Sequence, residues 1–202
     1  MEAHMSEELV VRSHAGSDLT RYIPRLAHIR IRVFRDFPYL YAGDFDYERR
    51  YLETYLQSPR SVIVLVFDGS NIVGASTGLP LSDETPNVIA PFASQGYDPT
   101  KIFYVGESVL FSQYRGQGLG VRFFDEREAH AHRLGGFRWT AFCAVDRPPD
   151  HPRRPPGYVP LDSFWQKRGY HREPGLKAVF TWRDLDDDAE TAKTMTFWMK
   201  RM

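Results

Sequence analysis

The chain has 202 residues, enough for one domain with a sizeable core, and its 42% hydrophobic and 26% charged residues are ordinary for a soluble globular protein. The 26 basic residues balance the 26 acidic ones, so composition gives no support for nucleic-acid binding or for an acidic membrane surface. The single cysteine, Cys143, rules out an internal disulfide and suits a reducing cytoplasm, while no apolar run approaches the ~18 residues of a membrane span and no signal peptide is visible.

Residues 1–7 read as a tail, with Met1 to Met5 resembling an expression remnant, and a single domain is expected over 8–201. A short strand is predicted at 9–12. Ser17 or Asp18 is placed to cap a helix over 19–34, with Ile23, Leu26, Ala27, Arg30 and Phe34 on its inner face. Residues 37–44 break that pattern, and a second helix is expected over 47–56. Strands at 61–67 and 72–77 flank Asp68-Gly69-Ser70-Asn71, a hairpin signal. The Pro-, acid- and Gly-bearing stretch 79–100 predicts a long loop with a short helical piece near Phe92.

The most informative stretch is 101–136. An apolar strand over 102–111 runs into Arg115-Gly116-Gln117-Gly118-Leu119-Gly120, and then a helix to Leu134 that Gly135-Gly136 stops. A glycine turn opening a helix is an anion site. The first backbone N–H groups have no internal partner, the helix dipole is positive there, and glycines let a phosphate come close. Arg115 adds a side-chain cation. Two familiar phosphate turns do not fit: no Lys-Ser/Thr follows the glycines, and Val121 stands where a dinucleotide fingerprint needs Gly or Ala.

A strand over 137–145 follows, then an irregular Pro- and Arg-rich loop over 146–160. A short helix over 161–168 ends at Gly169, and two strands close the chain at 175–185 and 193–200. His130 and His132 are two apart on a helix and do not share a face, so no metal pair is expected there; no other Cys/His cluster has ligand spacing, and no metal is expected. Cys143 lies within an apolar strand and is not expected to act as a nucleophile.

Arg115, Gly118 and Gly120 fill the signature [RQ]-x-x-G-x-[GA] of the pyrophosphate turn, and the chain thereby resembles the GNAT superfamily of acyl-CoA-dependent N-acetyltransferases. The predicted order β-α-α-β-β-β-α-β-α-β-β is similar to that family's, and residues 162–170 resemble its second motif. Trp165 stands where many members carry a tyrosine thought to reprotonate the leaving thiolate, and an indole N–H cannot do this near neutral pH. The resemblance implies an α/β, single-domain GNAT-like fold with a mixed, mostly antiparallel sheet of about seven strands and about four helices. It also implies acetyl-CoA as co-substrate. Its pyrophosphate would lie on Arg115, Gly116, Gln117, Gly118, Leu119, Gly120 and Val121, and its pantetheine arm along Val109, Leu110 and Phe111.

The implied reaction moves an acetyl group to a primary amine of a small molecule, directly and in a ternary complex. A peptide or protein N-terminus is the alternative acceptor, and a non-catalytic acyl-CoA-binding regulatory module the alternative function. The amine must be neutral to attack, which for a lysine-like group costs ~4–5 kcal/mol at pH 7, so a base is expected. Glu107 is the candidate base; strand alternation puts it on the face of Phe103, Val105, Val109 and Phe111. Tyr158 is the candidate to replace the missing tyrosine as acid. His151, Arg153 and Arg154 are candidate acceptor-binding residues, the arginines hinting at a carboxylated acceptor. Tyr39 and Tyr41 fall where the family builds its acceptor wall, with Asp44 as a partner for a cationic amine. The aromatic last strand, with Phe197 and Trp198, is an edge suited to a homodimer.

Overall fold

A computed structural model describes residues 9–15 and 20–202. Seven strands form one sheet in the order β1-β2-β3-β4-β5-β7-β6. In chain order the elements are β1 (Val10–Ala15), α1 (Ile23–Phe34), α2 (Phe45–Gln57), β2 (Val62–Asp68), β3 (Asn71–Pro80) and α3 (Pro86–Ser94). Then come β4 (Ile102–Leu110), α4 (Leu119–Leu134), β5 (Trp139–Val145), α5 (Asp162–Gln166), β6 (His171–Trp182) and β7 (Thr191–Arg201). The architecture is the one expected from the sequence, a mostly antiparallel α/β sheet with helices on both faces.

Local chemistry explains most of the boundaries. α1 opens with Pro24 in its first turn, where a missing N–H costs nothing, and buries Ile23, Leu26, Ala27 and Ile29 on one stripe. Its expected caps, Ser17 and Asp18, lie outside the described residues. α2 begins after Asp44, whose carboxylate accepts a hydrogen bond from Tyr47 N at 2.6 Å, so this side chain is a helix cap rather than an amine ligand. The β2–β3 hairpin turns at Gly69-Ser70, as expected.

Three expectations need correction. The stretch read as a long loop with a short helical piece near Phe92 holds the end of β3 and, at that piece, the longer helix α3, making five helices among the described residues. Pro86 sits at the first turn of α3, and Val88 and Phe92 are buried on one side, so few apolar positions suffice because the helix covers β6. β6 starts at His171, before the predicted 175, because a bulge between Glu173 and Lys177 absorbs Pro174 and Gly175. β7 is not an edge. It pairs with β5 on one side and β6 on the other, Phe197 opposite both Cys143 and Glu173, which leaves no free ladder there for a second chain.

Two core clusters cover the two faces. One, including Leu26, Leu52, Tyr55, Leu65 and Phe92, lies against α1, α2 and α3; the other, including Val64, Phe103, Val105, Phe123 and Phe124, lies under α4. All strand pairs are antiparallel except β4 and β5. That parallel ladder is short: it runs from Ile102–Trp139 to Tyr104–Ala141 and then stops. Beyond Tyr104 the two strands separate, and the sheet opens.

Candidate active site

The opening between β4 and β5 leads into a cleft of about 1200 Å³. Its floor is the glycine turn at the start of α4. Gly116 and Gly118 have φ of +81° and +79°, which an L side chain adopts only with strain, and open space lies where a Cβ on either would point. Among the described residues, the amides of residues 116–120 have no backbone acceptor; the first helical bonds run from Val121 and Arg122 back to Gly118 O. Unbonded N–H groups, a dipole end and an open cradle fit a pyrophosphate. Arg115, Gly116, Gly118, Gly120 and Val121 line the cleft; Gln117 does not, and Leu119 is buried in the core under the sheet.

The three residues expected along the pantetheine differ in what they offer. Leu110 lines the cleft, and its carbonyl accepts a hydrogen bond from Arg115 Nε at 3.2 Å. Val109 is fully buried. Phe111 N donates to Val73 O at 3.1 Å, so its amide is spent on β3 and not left to the opening. Alternate residues of a strand address opposite neighbours, and the expectation did not take that alternation into account.

At the head of the cleft, β4 carries a bulge. Ser76 pairs with Ser108 and Gly78 with Val105, so Thr77 faces both Gly106 and Glu107. A Cβ on Gly106 would come within 2.1 Å of Tyr55 Oη and 2.4 Å of Thr77 Oγ1, so only glycine fits. The extra residue reverses the direction of Glu107. It does not share the face of Phe103 and Val105; it points toward α1 and α2, into polar company. Its Oε2 accepts from Tyr51 Oη at 2.9 Å and Thr77 Oγ1 at 3.0 Å, and lies 2.9 Å from Arg30 Nη1. Among the described residues no partner is found for Oε1, which is left to the cleft that Glu107 lines.

Arg30 is buried and joins two carboxylates, Glu107 and, through Nε, Glu48 of α2. Its guanidinium carbon also lies 4.0 Å from the centre of the Tyr51 ring. Burial opposes its charge, but Glu107 and Glu48 outweigh that and raise its pKa further, so it stays a cation. Burial dominates at Glu48 and pushes its carboxyl up despite Arg30.

Arg127, on α4, takes its role from the fold. It is fully buried, and burial lowers its pKa to about 10. Nη1 donates to Glu107 O at 3.0 Å and Thr77 O at 3.4 Å, while Nε donates to Phe123 O at 3.0 Å. It therefore holds the bulge from the face opposite the Glu107 side chain. Arginine on the buried face of an amphipathic helix was the available signal.

The acceptor end of the cleft is aromatic. Tyr39 and Tyr41 line it, as do Phe34, Tyr47, Tyr51 and Trp182, and burial raises the pKa of Tyr39, Tyr41 and Tyr47. The Pro-rich loop is tied to this wall by Arg147. Its Nη1 and Nη2 donate to both oxygens of Asp184 at 2.8 and 2.9 Å, and it also donates to Pro38 O and Tyr39 O, both at 2.7 Å. Of the candidate loop residues, Tyr158 and Arg154 line the cleft. His151 and Arg153 do not: His151 packs on Phe37, and Arg153 is turned away to pair with Asp186.

The Tyr158 ring meets Phe37 edge-on at 4.7 Å, and burial raises its pKa, keeping the phenol protonated at neutral pH. Trp165 is half-buried on Phe142 and Trp198, with ring centres 5.0 and 5.1 Å away, and it borders the cleft as a packed aromatic. Burial pushes the Cys143 thiol up to about 12, which makes it a poor nucleophile.

Among solved structures, the chain is similar to an acetyltransferase of the GNAT family from Streptococcus pneumoniae, with a TM-score of 0.56 and 14% identity over 96% of this chain and 99% of that one. A ribosomal-protein-alanine N-acetyltransferase from Brucella melitensis gives a TM-score of 0.59 at 11% identity, over 96% and 99%. An acyl-CoA N-acyltransferase from Pseudomonas aeruginosa gives 0.57 at 15%, over 96% and 99%. By sequence, no family model and no curated protein matches the chain.

Proposed function

We propose that this chain, which has the fold of the GNAT acetyltransferases, moves an acetyl group from acetyl-CoA to a primary amine of a small molecule. One juxtaposition carries the reading. The unbonded amides of Gly116, Gly118 and Gly120, the separated β4–β5 edge and the free Oε1 of Glu107 all belong to one cleft.

The pyrophosphate would rest on the turn from Arg115 to Val121, with the thioester at the bulge. Glu107 Oε1 takes a proton from the bound ammonium. The freed nitrogen attacks the thioester carbonyl, an N–C bond forms, and the C–S bond breaks as the tetrahedral centre collapses. The nitrogen's second proton leaves to solvent, or to Glu107 once Glu107 has passed its first proton to solvent, and Tyr158 O–H protonates the departing thiolate and regains its proton from solvent. That last step needs little help, because a thiol of pKa ~8.5 is already a tolerable leaving group.

The fixed position of Oε2, held by Tyr51, Thr77 and Arg30, supports Glu107 as base: the carboxylate cannot rotate away from the acceptor. The Arg147 clasp supports a small acceptor over a peptide, since it ties the 146–160 loop across the end of the cleft where a chain would have to pass. Trp165 in the place of the usual tyrosine favours the rival reading, a non-catalytic acyl-CoA-binding module.

Thiol release from acetyl-CoA, measured against amino acids, arylalkylamines, polyamines, aminoglycosides and short peptides with wild type and Glu107→Gln, separates these readings. Turnover on an amine that falls in the variant supports the transferase. Calorimetric binding of acetyl-CoA without turnover supports the module, and no binding defeats both.

A further inference from the structure

We infer that Arg127 is a positioning residue of the acyl transfer. From behind β4 it holds positive charge on the Glu107–Ser108 peptide, whose N–H receives the thioester oxygen as that oxygen turns negative. This rests on the acyl-transfer reading and adds to it a source of charge stabilisation. Three observations lead there.

The first is direction. Phe111 N donates to Val73 O, and Val109 pairs with Ala75, so the odd-numbered residues at the end of β4 address β3. Ser108 and Leu110 therefore present their N–H groups to the other side, where the ladder with β5 has already ended at Tyr104–Ala141. Ser108 is exposed and lines the cleft.

The second is the peptide plane. A trans peptide sets its C=O and N–H in opposite directions. The Ser108 N–H that faces the opening thus shares its peptide with the Glu107 carbonyl, which accepts from Arg127 Nη1 at 3.0 Å. A cationic donor on the oxygen polarises the peptide and makes its N–H a stronger donor.

The third is a charge without a counterion. Arg127 is fully buried, and among the described residues it pairs with no carboxylate. Its contacts are the carbonyls of Phe123, Thr77 and Glu107, and Nη2 has no partner. The Glu107 carboxylate is committed to Arg30 on the opposite face, and Glu128 to Lys200. A neutral donor would satisfy the same carbonyls without desolvating a charge. What the cation adds is attraction for negative charge in a site that the substrates have emptied of water. That charge appears on the thioester oxygen as the N–C bond forms and the carbonyl π electrons move to it. It disappears when they return and the C–S bond breaks.

The test is infrared spectroscopy of acetyl-CoA labelled with carbon-13 at its thioester carbonyl, bound to the full chain and to Arg127→Gln and Arg127→Lys. Thiol release is followed in parallel on the amine panel, and calorimetric acetyl-CoA binding checks that each variant is folded. In wild type the bound carbonyl band is expected below its position in aqueous solution. Arg127→Gln, which keeps a donor and drops the charge, is expected to move the band back up. It should also lower kcat ~10-fold or more and leave the KM for acetyl-CoA nearly unchanged. Arg127→Lys, which keeps the charge, should retain most of the band shift and most of kcat. A wild-type band no lower than in solution overturns the inference, and it decides alone if neither variant folds. An Arg127→Gln band unmoved from wild type also overturns it, as do equal losses of kcat in the two variants; acyl transfer stands in each case. Acetyl-CoA binding with no thiol release on any amine overturns the transferase reading and the role of Arg127 with it.

Discussion

Among the described residues, three donors converge on one oxygen of Glu107 and none on the other. Glu107→Gln keeps the shape and most of these contacts but cannot accept a proton. It is expected to lower kcat/KM by ~10²–10⁴-fold at pH 7, with the loss shrinking as pH rises and the amine deprotonates unaided; acetyl-CoA affinity, read by calorimetry, should stay unchanged. Tyr158→Phe is expected to cost less than ~10-fold in kcat, because the thiolate can collect its proton from water. Gly106 is the third sensitive position here. An added methyl would sit 2.1 Å from Tyr55 Oη, so Gly106→Ala should lower stability by ~1–3 kcal/mol, seen as a lower Tm, and reduce turnover by shifting the bulge. From sequence, Glu107 was visible as a glutamate on the right strand, but its direction was not. Period-two alternation assigns the wrong face as soon as one extra residue enters the strand, and the bulge depends on how β3 and β4 pair.

At the scale of elements, α4 serves the cleft at two points. Its first turn presents unbonded amides through Gly118, whose φ of +79° makes Gly118→Ala a strained change. That variant should weaken acetyl-CoA binding about tenfold by calorimetry and cost ~1 kcal/mol of stability. Two turns later Arg127 holds the carbonyls of Glu107 and Thr77. Arg127→Met fills much of the same volume but leaves those carbonyls unpaired in the interior, an expected loss of ~2–4 kcal/mol in denaturant titration, with turnover falling in whatever protein stays folded. The glycine turn was legible because its chemistry is local: spacing alone places amides at a helix start. Arg127 was not, because its partners lie 20 and 50 residues away in the chain and meet only in the sheet.

Across the whole molecule, Arg147 joins three segments that the sequence keeps far apart: the loop after β5, the turn before α2 and the hairpin between β6 and β7. Burial would raise the Asp184 carboxyl, but Arg147 and Lys193 outweigh it and hold its pKa below the usual range. A carboxyl depressed in the folded state stabilises it above the unfolded pKa of ~3.9, and that contribution is lost as pH falls through the folded value. Thermal unfolding followed from pH 7 to pH 2 should therefore show an acid loss that Asp184→Asn largely removes, at the expense of a lower Tm at pH 7.

The sequence by itself determined the element order apart from α3, the opposed apolar faces and the phosphate-type turn, since each depends on propensity and spacing within a few tens of residues. Tertiary structure alone decided which end of the sheet opens, which way Glu107 points, which arginines are already paired and that β7 lies inside the sheet. Those outcomes depend on strand register and on charges brought together from distant positions, and no local pattern encodes where a ladder stops.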